Sequence, residues 1–348
     1  MASEPMSTSP TISAVVCTHN RAAFLRQALN SLAGQTLVRT RYEVIVVNNG
    51  STDETLATVR EFCQVDQRQC AVRLVDEPAL GLGYARNTGW KAAQGQYIAF
   101  MDDDARADPG WLERALNLFE DSRPAPIAAG GQILPWYLSQ KPAWYKDEYE
   151  ARSWGPEPRR LSAGESFSGS NMIFAKNILH QLDGFDVGVG MRGTRVSMGE
   201  ETVLFNEIWK KFGEQAILLY APDLIVYHAV TSAKMTLRYH LSRWFVTGQV
   251  ACRLDPPTSF RDRVSRLRAG VTAIRSLMRS ALEQRKLFSD YRSWMVERFG
   301  PVALEVGRFL AGMGVQLPVR RPALTEQHLE GSAAGNGHSD KAVRWSTR

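Results

Sequence analysis

Short β-rich runs alternate with stretches of helical periodicity over the first third of the chain. "ISAVVC" (12–17), "YEVIVV" (42–47), "AVRLVD" (71–76) and "QYIAFM" (96–101) read as strands. Residues 21–34, a stretch opening near Thr52, and residues 82–94 read as the helices between them. Strands alternating with helices predict right-handed βαβ units and a parallel sheet covered on both faces. After the fourth strand, "ADPGWLERALNLF" predicts a helix with Asp108 as its cap and Pro109 in its first turn.

Farther along, the periodicity weakens. Residues 135–165 are rich in Pro, Trp, Tyr and charge without a period, and read as a long loop, ordered or mobile, of a length that commonly serves as a lid. Further β structure is expected at 166–174 and 216–228. "SMGEETVLFNEIWKKFG" (197–213) predicts a helix buried along Leu204, Phe205, Ile208, Trp209 and Phe212. From 235 the pattern is helical, and Val264, Leu267, Val271, Ile274 and Met278 mark a packing face rather than a membrane anchor. The division expected is a disordered start (1–11), an α/β half (12–124), a second half (125–230), a helical segment (231–318) and a disordered tail (319–348).

Composition changes this picture in three places. No apolar run approaches the ~20 residues of a membrane span, and "MASEPMSTSP" has no basic and apolar leader regions, so a cytoplasmic location is expected. Four cysteines without CxxC spacing suit a reducing compartment and argue against structural zinc. The net charge of +6 is unevenly placed: residues 234–322 hold 17 Lys/Arg against 6 Asp/Glu, +11, which leaves −5 for the remainder. That asymmetry suits an anionic ligand or membrane surface near the basic segment, at the inner face of the membrane, or simply a solvated helical face. No nucleic-acid motif accompanies it, so nucleic acid is not expected.

Ligands of parallel α/β sheets bind at the carboxyl ends of the strands. Those ends carry "THNR" (18–21), "NNGSTD" (48–53) and "DDD" (102–104), and none is a phosphate-binding glycine loop, which disfavours dinucleotide dehydrogenases and P-loop kinases. In an extended segment Asp102 and Asp104 face one way and Asp103 the other. Two converging carboxylates make a hard-oxygen site for Mg²⁺ or Mn²⁺, with phosphates completing the shell. An isolated acidic run reads equally as a solvated turn; its place at the sheet edge favours the metal. Glu200 and Glu201 fall in a first helical turn, where the macrodipole alone accommodates them. If that turn faces the metal, a carboxylate there accepts a proton from an acceptor hydroxyl. His228, closing "LIVYH", is a structural histidine in isolation and a third ligand beside such a metal.

With these residues in place, the chain resembles the family 2 glycosyltransferases of the GT-A type. The matching stretches are "VVCTHNR" (15–21), "VIVVNNGSTDET" (44–55), "GLGYARNTGWKAAQGQYIAFMDDDA" (81–105), "GSNMIFAKNILHQLDGFD" (169–186), "GEETVLFNEI" (199–208) and "VYHAV" (226–230), in order from 12 to about 250. The resemblance implies a nucleotide-sugar-binding α/β domain with a parallel-dominated mixed sheet, an acceptor half and a helical C-terminal segment. It implies inverting transfer from a nucleotide-diphosphate sugar, foremost a UDP-sugar, to a glycan, lipid-linked or small-molecule acceptor. By position, Thr18, His19, Asn20, Arg21, Asn49, Ser51, Arg86, Asn87, Asp102 and Asp103 would bind the donor, with His19 stacking on the base and Asp103 toward the ribose. Asp104, Asp102 and His228 would hold Mg²⁺ or Mn²⁺; Glu201 would be the base with Glu200 beside it; Gly169, Ser170 and Asn171 would meet the acceptor.

Two departures stand out. The usual Asp-Asp after the second strand is Asn48-Asn49, so an amide replaces the carboxylate that reads uracil, and the base position carries Glu rather than Asp. The competing readings are a nucleotidyltransferase, whose glycine-rich basic loop is absent, and a non-catalytic nucleotide-sugar-binding protein.

Overall fold

The four apolar runs form adjacent parallel strands in the computed structural model, which describes residues 9–65, 71–191, 195–196 and 198–320. They are β1 (Ile12–Thr18), β2 (Tyr42–Asn48), β3 (Ala71–Asp76) and β4 (Tyr97–Asp102), joined through helices α1 (Ala22–Ala33), α2 (Thr55–Val65) and α3 (Leu82–Ala92). Alternation within the strands supplies both faces. Ile12, Ala14 and Val16 pack with Leu25 and Leu29 of α1; Val15, Ile45 and Val47 pack with Ala85 and Trp90 of α3. Each fully buried aliphatic side chain contributes about 1.5–3 kcal/mol.

After β4 come β5 (Ala105–Ala107), α4 (Trp111–Asp121), β6 (Ala128–Gly130), β7 (Ile133–Tyr137), β8 (Arg159–Arg160), β9 (Met172–Ala175), α5 (Lys176–Gln181), β10 (Arg195–Val196), α6 (Glu200–Phe212), β11 (Leu218–Tyr220) and β12 (Val226–Val230). The main sheet runs β3-β2-β1-β4-β9-β6-β11-β8, with β9 antiparallel to both its neighbours and β8 antiparallel to β11. A smaller sheet, β5-β12-β7, stands at the end of β4. Register aligns the strand ends: Thr18 pairs with Asn48, Asn48 with Asp76, and Cys17 with Asp102.

Three expectations need correction. Asp108 does not cap α4: the helix opens after Gly110, while Asp108 accepts the Gly110 N–H at 3.1 Å and pairs with Arg114. The Asp-Pro-Gly turn comes before the helix rather than inside it. Residues 135–165 are no free lid. Trp144 and Tyr145 are buried against Val230, Met235 and Val296, and Tyr149 donates to Glu297 at 2.8 Å, so the segment is a wall fastened to the helical region. The tail expected from 319 begins ordered, as β13 (Val319–Arg320) pairs with β10; residues 1–8 and 321–348 lie outside the described residues.

The helical segment comprises α7 (Leu237–Leu254), α8 (Phe260–Glu283), α9 (Tyr291–Trp294) and α10 (Gly300–Gly312). α7 and α10 cross where Gly248 and Gly307 remove side chains; a Cβ at either would lie about 2 Å from a carbonyl of the other helix. α8 lies on α10 with Val264, Leu267, Val271 and Ile274 half-buried, as the stripe predicts, while its last member, Met278, is exposed. Its arginines 261, 263, 268 and 275 carry no ion pair among the described residues. No described helix is long and apolar enough to cross a membrane.

Candidate active site

A cavity of about 890 Å³ opens over the carboxyl ends of β1, β2 and β4 and is closed by α6, β12, α7 and the chain beyond α10. Of the residues the sequence singles out, Thr18, His19, Arg21, Asn49, Arg86, Asp102, Asp103, Asp104, Gly169, Ser170, Glu200, Glu201 and His228 line it. Asn20, Ser51, Asn87 and Asn171 do not.

Those four are held elsewhere by their own hydrogen bonds. The Asn20 carboxamide oxygen accepts from Thr52 N at 2.6 Å, and Ser51 Oγ accepts from Asn20 N at 3.1 Å, which ties the two strand-end loops together. Asn87 exchanges two 2.8 Å bonds with the Phe185 backbone. Asn171, 1% exposed, donates to Gln132 O and Leu224 O and accepts from Trp111 Nε1. Asn49 does reach the cavity, but its NH₂ donates to Glu77 O (3.0 Å) and Ala79 O (2.8 Å) and its oxygen accepts from Gly81 N (2.8 Å). One lone pair is left, so this amide can accept from a ligand and cannot donate. The His19 ring is fixed by Nδ1 donating to Asn49 O at 2.7 Å.

The acidic run divides differently from simple alternation. The strand ends at Asp102, and the chain turns through Asp103 and Asp104, so those two face a common partner: Arg21 donates to Asp103 at 2.6 Å and to Asp104 at 3.0 Å. Asp102 instead accepts from Ser170 and lies 3.4 Å from Arg86. The β5–β12 pairing sets His228 opposite Ala105 and brings its Nε2 to 3.3 Å from Asp104. Lys234, which no sequence pattern marks, folds back in the turn after β12 and donates to Asp104 at 3.1 Å and to Ala229 O at 2.7 Å. Burial opposes charge on Asp104, but Arg21, Lys234 and His228 together hold its carboxyl well below the usual range. Asp103 is pushed up by burial against the pull of Arg21.

Ligand-capable atoms of Asp102, Asp104 and His228 lie within 4.8 Å of one another. Two carboxylates and an imidazole suit Mg²⁺ or Mn²⁺, so the residues fit the ion, which would compete with Arg21 and Lys234 for Asp104.

The two glutamates at the start of α6 separate sharply. Glu200 is 3% exposed and pairs with Arg86 at 3.1 Å, leaving Oε2 buried without a partner. Glycines make that pair fit: a Cβ at Gly169 would lie 2.4 Å from Arg86, and one at Gly190 2.8 Å from Glu200. Glu201 is half-buried at the cavity wall, with no hydrogen bond or ion pair among the described residues. Burial, with the neighbouring Glu201 charge, pushes Glu200 up from 4.5 to about 7 despite Arg86.

This shift has a sign that can be measured. The folded carboxyl keeps a proton that the unfolded one releases, so stability from this group is full below pH 4.5 and is lost as pH rises toward about 7. The loss amounts to roughly 3 kcal/mol. Glu200→Gln, an isostere of the protonated form, is expected to remove that slope. Thermal melts at the two ends of the window should show wild type losing ground to the variant at the higher pH. Parallel curves would refute the buried-proton account.

Residues 13–172 match the sequence model of Glycosyl transferase family 2. Among curated proteins, the glucosyl-dolichyl phosphate glucuronosyltransferase of Haloferax volcanii is 25% identical over 214 residues, covering 59% of this chain and 66% of that protein. The chain spans from about a third to just under two thirds of the length of the curated relatives it matches first. The mannosyltransferase PcManGT of Pyrobaculum calidifontis, solved with GDP-Man and Mn²⁺, superimposes with a TM-score of 0.57 at 19% identity over 88% of this chain and 90% of that one. S. aureus TarS 1–349 superimposes at 0.50 with 15% identity over 87% and 92%. Both are similar to this chain in fold, which is of the GT-A type, and the similarity takes in the helical segment.

Proposed function

We propose that the protein transfers a sugar from a nucleotide-diphosphate sugar to an acceptor hydroxyl with inversion, in the building of a glycan or glycoconjugate. The observation that carries this reading is the unengaged Glu201 carboxylate in the same cavity as the Asp102–Asp104–His228 cluster. Glu201 takes the proton of the acceptor hydroxyl, that oxygen bonds to the anomeric carbon, and the bond to the diphosphate oxygen breaks on the opposite face. Asp104, Asp102 and His228 would hold a divalent ion, which supplies charge neutralisation for the departing diphosphate. Arg86 fixes Asp102 and keeps Glu200 out of the proton transfer. His19 and Asn49 border the nucleoside end, and Gly169 and Ser170 the point where donor and acceptor meet.

Support comes from the neighbours: PcManGT was solved with GDP-Man and Mn²⁺, and one curated relative is named for a lipid-phosphate-linked acceptor. The remaining acceptor valence of Asn49 suits a base that offers an N–H. UDP- and GDP-sugars are to be screened by thermal shift with and without Mn²⁺, followed by assay of the released nucleotide. The expected result is stabilisation by one donor with Mn²⁺ and release of its nucleoside diphosphate. Release of pyrophosphate would mean nucleotidyl transfer, and binding without turnover on any acceptor a binding protein.

A further inference from the structure

The cavity continues past His228 into a region that the donor cluster does not use. His228 turns Nε2 to Asp104; its other nitrogen, Nδ1, lies 3.8 Å from Glu150 of the fastened 135–165 segment. Glu150 is buried and bonded by Arg243 of α7 at 3.2 Å. Arg152 lies beside this pair, its backbone clamped by two 2.9 Å bonds to Ile133. Its guanidinium donates only to carbonyls, Ala151 O at 2.7 Å and Tyr149 O at 3.5 Å, and has no carboxylate within ion-pair distance among the described residues. Glu150 is therefore taken up by Arg243, and the Arg152 guanidinium stands at the cavity wall without a carboxylate of its own.

Other features point the same way. Arg238, exposed in the first turn of α7, lines the cavity without an ion pair among the described residues. That turn holds no acidic residue, so apart from the Thr236 hydroxyl, which accepts from Tyr239 N, no side chain offsets the positive end of the 18-residue helix there. Thr231, 1% exposed and also at the wall, leaves its Oγ1 without a partner. A half-buried arginine with no counter-ion, beside an unpartnered hydroxyl and a helix start, is what an incoming anion satisfies.

We propose that Arg152, Arg238, Arg243 and Thr231 form an anion subsite that grips a phosphate carried by the acceptor, across the His228 ring from the donor diphosphate. The acceptor is then a phosphate-bearing molecule, either a lipid phosphate or a soluble sugar phosphate. The proposal rests on the glycosyltransferase reading for the word acceptor; the subsite stands on its own residues.

The test is binding by the full chain with Mn²⁺ and saturating UDP or GDP, so that the donor diphosphate position is already filled. Geranyl phosphate and glucose 1-phosphate are titrated beside geraniol and glucose. At least one phosphate probe is expected to bind at least about tenfold tighter than its neutral partner. Arg152→Gln and Arg238→Gln should each erase that preference while leaving nucleoside diphosphate affinity unchanged. Arg238 is exposed, so its variant keeps the test valid should Arg152→Gln fold poorly. A preference for the geranyl compound identifies a lipid phosphate, and for the glucose compound a soluble one. Equal binding of phosphate and neutral probes, or loss of nucleotide affinity in the Arg238 variant, overturns the subsite. Failure of the glycosyltransferase reading shows separately, as no nucleotide binding at all.

Discussion

Glu201→Gln is expected to lower sugar transfer by about 10²–10⁴-fold, the usual contribution of a positioned general base. The substitution keeps shape and removes only basicity. Because Glu201 makes no hydrogen bond or ion pair among the described residues, the fold has little to lose, and melting should stay within about 0.5 kcal/mol of wild type. Donor affinity should be preserved, so the defect belongs in kcat rather than in donor KM. Glu200 cannot step in. Its carboxyl is buried, bonded to Arg86 and holds its proton to about pH 7. Glu201→Asp, one methylene shorter, should recover part of the rate. Near-normal transfer by the Gln variant would remove Glu201 from the mechanism, and equal loss in a Glu200→Gln control would mean that the pair acts through structure alone.

The contrast between those two adjacent glutamates marks the boundary of what the chain discloses as a string. Strands β1, β2 and β4 are legible because buried parallel strands are largely apolar on both faces, the edge strand β3 is only half-buried, and the helices between them keep their own period. The strand-end polar clusters are legible for the same reason, since polar residues that close apolar runs must gather at one edge of the sheet. Which member of a cluster faces the cavity is not. Asn20, Asn87 and Asn171 have the right type at the right place, yet each amide is spent on backbone groups that only the folded chain brings near. Asp103 departs from strand alternation because the strand has already ended.

Lys234, Glu150, Arg152 and Arg243 carry no local signature either. They arrive from an aperiodic segment, a turn and a long helix, and their relation to Asp104 exists only through the β5–β12 register and the aromatic cluster that fastens residues 144–149 to the helical region. Periodicity reports burial along one element. It holds no information about which loop comes back to which strand end.

Asp104→Asn is expected to have the other large effect, and it should appear in two separable ways. Asp104 is almost fully buried, and Arg21, Lys234 and His228 all converge on it. Removing that charge leaves Arg21 with Asp103, and His228 and Lys234 with only the more distant Glu150 beside them. Breaking a buried ion pair from one side costs roughly 3 kcal/mol or more, so the variant should melt well below wild type without any ligand. The sign follows from the lowered carboxyl: its stability is present above the ordinary Asp value and is lost as pH falls, so the gap between the proteins should narrow in acid. The second effect is on ligand response. Wild type should gain thermal stability from nucleoside diphosphate only when Mn²⁺ is present; the variant should lose that metal-dependent increment along with turnover. Lowered stability alone would leave the increment intact, which separates a structural carboxylate from a metal ligand. A variant that keeps both its Mn²⁺-dependent shift and its turnover would place the ion elsewhere. Arg21 and Lys234 would then be the lasting counter-charges of Asp104, rather than groups that yield when a divalent ion binds.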